Sequence, residues 1–417
     1  MSATPARSDF RVTKSAGTRL KRWPAPLRRG AEHDTPSPMN RIEKIEVFPA
    51  AVPITRTFNF ASGSAGKSGE SARLVYVKVT DSKGCVGWGE GRPHPQWSYE
   101  SPSSVVQVIR EHLAPALVGL EIWDLRGLHR RMHAVVGRGP STGFPVAKAA
   151  LDIALHDLCS KAAGLPLRCF LGGAASVDSV ELSWTIAVAG AAEVDAEITR
   201  GRAAGFRQFN FKVGSHPIEE EEEMARKIAA ATATEGMVWA DANQGMPPER
   251  AAEFCTRLHA LGVDVIEQPL AADQLHAMRS LRRRTPMRLA VDEASVSASD
   301  FFQYIREDLV DYLVVKLTRS GGIRPTMDQV ALAASAGLPI LVSGLADGML
   351  VKTAACQVAA AAGYRGPAVL NGSQFMEDSI LFPAKAEVER GNTIHLGTAP
   401  GIGIEPDEES LRQQAWS

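Results

Sequence analysis

The sequence is poor in the features that announce a compartment or a partner. It holds only five cysteines, Cys85, Cys159, Cys169, Cys255 and Cys356, with no C-x-x-C pair among them. An odd, scattered set of thiols argues against a disulfide framework or a thiolate zinc site. It suits small buried side chains in a reducing, cytoplasmic setting. An excess of charge of one sign is missing as well: the net charge is −1, which leaves no basic stripe for nucleic acid. No apolar run approaches the ~20 residues of a membrane span, and the most apolar stretch, 351–362, reads as a short Ala-rich helix. What remains is an ordinary globular composition, 45% hydrophobic and 22% charged over 417 residues. That is enough chain for a large core and a second, smaller unit.

Residues 1–38 are rich in Arg, Pro and Ser and lack apolar periodicity, so they read as a disordered basic head. They are basic enough to suggest a transit peptide but have no amphipathic helix; a start at Met39 is the simpler reading. From 41 the pattern changes. Segments 41–52 and 72–80 alternate like strands, and Asp81-Ser82-Lys83-Gly84 turns the chain into a third at 85–90. Helical spacing follows over 103–117, 122–136 and 143–163, the last stopped by Gly164 and Pro166. This predicts an α+β capping domain over 39–165.

A second rhythm starts near 180. Short apolar runs at 181–188, 208–213, 237–240, 263–266, 288–291, 312–315, 339–342 and 368–370 alternate with helical stretches. Eight buried strands separated by helices predict a parallel (β/α)8-type barrel over 166–370, in the α/β class. A doubly wound sheet is the weaker alternative, because no G-x-G-x-x-G follows the first strand.

Polar residues end one barrel strand after another: Lys212, Asp241, Glu267, Asp292, Lys316 and Asp347. They are separated by roughly 24–31 residues, one strand–loop–helix unit of a barrel of about 250 residues. That spacing brings them to one mouth of the barrel, where such folds place their sites. Three converging carboxylates, Asp241, Glu267 and Asp292, repel one another unless a cation sits between them. An all-oxygen set suits Mg²⁺ (or Mn²⁺), whereas zinc favours His or Cys. Lys212 and Lys316 flank the acids and face each other on a closed barrel. An ordinary lysine, near pKa ~10.4, is a poor base. Tuning it to roughly 7–8 takes about 3–4 kcal/mol, within reach of a metal and desolvation. Two opposed lysines allow a proton alpha to a carboxylate to be removed on one face and returned on the other. Asp347, between Gly344 and Gly348, is a further catalytic candidate that orients Lys316, binds substrate or donates a proton.

The string Ala-Lys-Ala-Ala-Leu-Asp-Ile-Ala-Leu-His-Asp-Leu at 147–158, then Gly164-Leu-Pro and Leu171-Gly-Gly, resembles the enolase superfamily. The ordered Lys, Asp, Glu, Asp, Lys series resembles its muconate-lactonising subgroup. The resemblance runs from about residue 41 to 406. It implies that the C-terminal segment 371–417 returns to the capping domain, which closes over the barrel. It also implies that loops near 58–69 and 91–99 touch a small carboxylate substrate, and that the chain forms homo-oligomers. Phe60, Arg92 and Tyr99 are then candidate substrate contacts, with Asn210, Asn243 and Glu293 beside the acids. Three departures stand out. Asn210-Phe-Lys212 replaces the usual Lys-x-Lys, His156 replaces an aromatic, and Val369-Leu-Asn371 replaces the Asp-x-Asp of dipeptide epimerases. Muconate-type cycloisomerisation is the leading expectation, with amino-acid-derivative racemisation or hydroxy-acid or hydroxyproline dehydration behind it. Outside that chemistry stand a Schiff-base aldolase through Lys316 and a non-catalytic barrel.

Overall fold

The structure, a computed structural model, describes residues 40–61, 63–139, 142–232 and 236–416; the basic head lies outside them. Three antiparallel strands, Ile42–Pro53, Ser71–Asp81 and Val86–Gly91, form the first sheet in the order of the chain. The turn at Asp81 is the one the sequence predicts: its Oδ1 accepts from the amides of Lys83 and Cys85. Against this sheet lies the helix Pro145–Ala162, buried along nearly its whole length. Its close approach depends on glycine. A Cβ on Gly87 or Gly89 would sit 2.1 or 1.9 Å from the backbone oxygens of Ala154 and Ala150.

The expected helices are present over Leu125–Val135 and, as a run with a π turn at Ile109–Leu113, over Pro102–Val108 and Ala114–Leu117.

Seven parallel strands form a curled sheet in sequential order: Trp184–Ile186, Phe209–Lys212, Trp239–Asp241, Val265–Glu267, Arg288–Val291, Tyr312–Val315 and Ile340–Val342. The expected eighth strand is reduced to two bridges. Ala368 pairs with Leu182 beside the first strand, and Val369 pairs with Ser343 beside the seventh. Those bridges join the two edges, so the (β/α) barrel closes on backbone contacts of two residues. A second difference concerns the first run, which splits in two. Ser179–Glu181 pairs antiparallel with Thr393–His395, and only Trp184–Ile186 enters the barrel.

The two-residue period of a strand sorts the barrel interior into layers. Trp239, Val265, Ala290, Val314, Leu341 and Val369 form one apolar cluster. Two residues further along the same strands stand Asp241, Glu267, Asp292, Lys316, Ser343 and Asn371. The apolar layer plugs the barrel and the polar layer above it builds the site. The chain then returns to the first sheet: Ala51 N donates to Gln414 O at 2.9 Å, and Lys78 Nζ to Glu408 Oε2 at 2.6 Å.

Candidate active site at the barrel mouth

Parallel register sets the acids level. Lys212 lies opposite Asp241, and Asp241 opposite Glu267. Asp292 and Lys316 follow the last residues of the next two strands. The side chains are out of water, Asp241 at 3%, Glu267 at 1%, Asp292 at 1% and Lys316 at 5% exposure. Each lysine is salt-bridged to an acid: Lys212 Nζ to Asp241 Oδ2 at 2.5 Å, and Lys316 Nζ to Asp292 Oδ2 at 2.6 Å with Glu267 Oε1 at 3.4 Å. Burial, then Asp241, pushes the Glu267 carboxyl well above its ordinary range. Burial would lower Lys316, but Asp292 and Glu267 outweigh it and hold the ammonium above its ordinary value.

Arg319 is the residue that sequence spacing misses. It sits one short helix beyond Lys316, Leu317–Ser320, with its guanidinium buried and Nη1 against Asp292 Oδ1. Its Nε donates no hydrogen bond among the described residues. Gln268 is also new: its Oε1 accepts from the amides of Asp292 and Ala294 at 3.0 and 3.2 Å, which orders the loop carrying the third acid. Asn243, Gln244 and Gln268 all hold positive φ, at 39°, 67° and 38°. Left-handed backbone in non-glycine residues costs energy and collects at functional sites.

The candidate substrate residues divide. The cavity at the mouth is lined by Phe58, Trp97, Lys212, Asn243, Glu293 and Lys316, among others. Asn243 donates to Glu293 Oε1 at 3.1 Å, and burial followed by Asp292 raises Glu293 to about 7. Phe60 packs behind this wall on Trp97, ring centroids 4.5 Å apart, and Phe58 faces the cavity instead. Arg92 spends its guanidinium on the carbonyls of Ala65, Leu345 and Ala346, which pins a cap loop to the loop after the seventh strand. Tyr99 is 77% exposed and stands outside the cavity. Asn210 accepts from Thr185 Oγ1 at 3.1 Å, and Asn371 donates to that hydroxyl at 3.1 Å. Asp347 is held by Leu345 N at 2.8 Å and Thr318 Oγ1 at 3.1 Å, and its carboxyl does not line the mouth.

The residues present fit a divalent cation by their chemistry. Three carboxylates converge, and the buried oxygens Glu267 Oε1 and Asp292 Oδ1 have cationic side chains, Lys316 and Arg319, as their neighbours. As they stand, among the described residues no group of three His, Cys, Asp or Glu is poised to hold an ion. Lys212, Lys316 and Arg319 take up carboxylate oxygens that would turn toward a cation.

Such a ring of strand-end acids and lysines on a capped barrel defines a class of enzyme. Residues 193–410 match the family model described as enolase C-terminal domain-like. Residues 44–172 match the mandelate racemase/muconate lactonizing enzyme N-terminal domain. The chain belongs to the enolase superfamily, in its muconate-lactonizing group, whose members are metal-dependent enzymes.

It is similar to a chloromuconate cycloisomerase of Cupriavidus necator, 29% identical over 378 residues, covering 89% of this chain and 98% of the relative. An N-succinyl-L-Arg/Lys racemase of Bacillus cereus is 26% identical over 382 residues, 89% and 97% of the two chains. The substrate-liganded L-Ala-D/L-Glu epimerase of Bacillus subtilis superposes with a TM-score of 0.80 at 26% identity, over 88% of this chain and 99% of that one. Among the described residues no helix is long and apolar enough to cross a membrane.

Proposed function

We propose that the barrel mouth isomerises a small organic diacid of the muconate type. One carboxylate adds across a carbon–carbon double bond to close a lactone, and a proton is delivered to the carbon alpha to the other carboxylate. Overall the dianion takes up one proton and becomes a lactone monoanion, with no other atom gained or lost. Lys212 and Lys316 are the proton carriers. They stand on the second strand and just past the sixth of a ring with eight positions, hence on opposite faces of anything bound between them. Asp241, Glu267 and Asp292 would hold Mg²⁺ or Mn²⁺. When bound, the cation supplies the positive charge that stabilises negative charge developing on the substrate carboxylate. Phe58 and Trp97 exclude water above the reacting carbons.

The observation that carries this reading is the charge pattern. Lys212, Lys316 and Arg319 line the mouth, and among the described residues the acids lining it are Asp292, a metal candidate, and Glu293. With the cation in place the mouth complements an anion, because its remaining carboxylate, Glu293, is held by Asn243 and raised to about 7 by burial and then Asp292. A second reading, racemisation of an N-acylated amino acid, is favoured by Asn243 and Asn371, which line the mouth with Oδ1 atoms that accept no hydrogen bond among the described residues and can pair with an amide N–H. Incubation with a muconate-type diacid, monitored by loss of diene absorbance, tests the first reading. Turnover stopped by EDTA and restored by Mg²⁺ is expected. No diacid turnover, with α-proton exchange of N-acyl amino acids instead, would replace it by the second.

A further inference from the structure

Away from the mouth, a cleft of about 500 Å³ opens between the capping helix Leu125–Val135 and the starts of two barrel helices, Ala298–Arg306 and Ile323–Ser335. It shares no lining residue with the barrel mouth. Arg126, Arg130, Arg138 and Arg324 come to it from three separate segments, with Asp328 as the one lining carboxylate. Arg324 pairs with Asp328, and Arg130 reaches Asp124 at 3.6 Å. Arg126 and Arg138 have no carboxylate partner among the described residues.

Positive charge continues into the wall of the cleft. Lys148, on the buried helix Pro145–Ala162, is fully buried without an acid partner; its Nζ donates to Val136 O at 2.8 Å and to His133 Nδ1 at 3.1 Å. Because Nδ1 accepts, the neutral His133 ring carries its proton on Nε2 and lines the cleft as a donor. Burial, Lys148, His129 and Arg138 lower His133 to about 4, and burial followed by Arg138 lowers Lys148 to about 8. Both groups register the cationic charge of the cleft, which Glu100 offsets only in part at Lys148. The two helix starts add their positive ends. Their first amides are partly taken by Asp300's own capping box and by the buried Asp152, so their contribution is field rather than hydrogen bonds.

We propose that this cleft is a second ligand site, for a small molecule bearing a phosphate-type oxyanion. Guanidinium groups recognise such oxyanions bidentately, and the volume lies in the range of small-molecule sites. The site is built from both the capping helix and the barrel helices, so its occupant would bridge the two.

Calorimetric titration of the full-length, metal-loaded protein with inorganic phosphate tests this, with chloride at equal ionic strength as control. Saturable phosphate binding is expected in the wild type and in Lys316→Met, which alters only the barrel mouth. In the double variant Arg126→Gln/Arg324→Gln, with its fold checked by thermal melting against the wild type, affinity should fall at least about tenfold. The absence of saturable binding overturns the proposal. So does binding that survives in the double variant but is lost in Lys316→Met, which would place the anion at the mouth.

Discussion

At the scale of single residues, Asn210 decides how this site differs from a two-lysine site. Strand alternation turns Asn210 and Lys212 to the same inner face, so a lysine at 210 would stand beside Lys212. The structure instead ties Asn210 into a chain with Thr185 and Asn371. Asn210→Lys should therefore destabilise the fold by ~1–3 kcal/mol in urea melts, because it strands a buried hydroxyl and adds an unpaired ammonium. An unchanged midpoint would show that the chain contributes nothing. The proposed roles of the acids and lysines separate by a paired measurement. Lys212→Ala should abolish α-proton exchange in deuterated water and keep metal affinity, while Asp241→Asn should weaken that affinity sharply by calorimetry. Exchange surviving the first change, or affinity surviving the second, removes that residue from its role. Lys212, Asp241, Glu267, Asp292 and Lys316 were legible because each follows an apolar run at barrel spacing. Arg319 and Gln268 were not, because one acts from a four-residue helix and the other through a backbone turn.

At the scale of elements, the helix Pro145–Ala162 joins the capping sheet to the barrel through Asp152. This carboxyl contacts His129, accepts the amides of Ile323 and Arg324 at the start of a barrel helix, and lies 3.3 Å from His156 Nδ1. His156, an unusual residue by sequence, is thus a charge partner for Asp152. Burial alone would raise Asp152, but His156 and then His129 hold it below its ordinary 3.8. Burial would lower His156, and Asp152 lifts it above 6.5. The stabilisation is complete between those two ordinary values. It is lost in acid as Asp152 protonates, and lost again as pH climbs through the raised value of His156. Asp152→Asn should cost ~3–5 kcal/mol at pH 6, with the gap to wild type narrowing below pH ~3. A gap independent of pH would mean that the ion pair is not its source.

At the scale of the whole molecule, one apolar cluster spans both parts of the chain. Val52, Leu74 and Tyr76 of the capping sheet share it with barrel residues such as Phe211 and Ile266, and with Leu411 of the C-terminal helix Glu408–Gln413. The cap therefore has little core of its own on that face. Leu411→Ala should cost ~2–5 kcal/mol and shift the tryptophan-fluorescence and circular-dichroism transitions together. An earlier, separate transition of one probe would show that cap and barrel unfold independently.

Sequence alone determined the alternation of strands and helices, the hairpin turn at Asp81 and five strand-end polar residues, Lys212, Asp241, Glu267, Asp292 and Lys316; Asp347, expected with them, lies in the loop beyond the seventh strand. Each is a local pattern that needs only a period of two or 3.6 residues, or one turn, to be read. What only the tertiary structure decided are the relations between distant segments. Those are the closure of the barrel by bridges at Ala368 and Val369, Phe58 rather than Phe60 at the mouth, and Arg92 spent on loop carbonyls. The pairing of each lysine with an acid belongs with them. The reason is physical: burial and charge pairing depend on which side chains arrive from elsewhere, and a strand end does not encode its neighbour across the barrel.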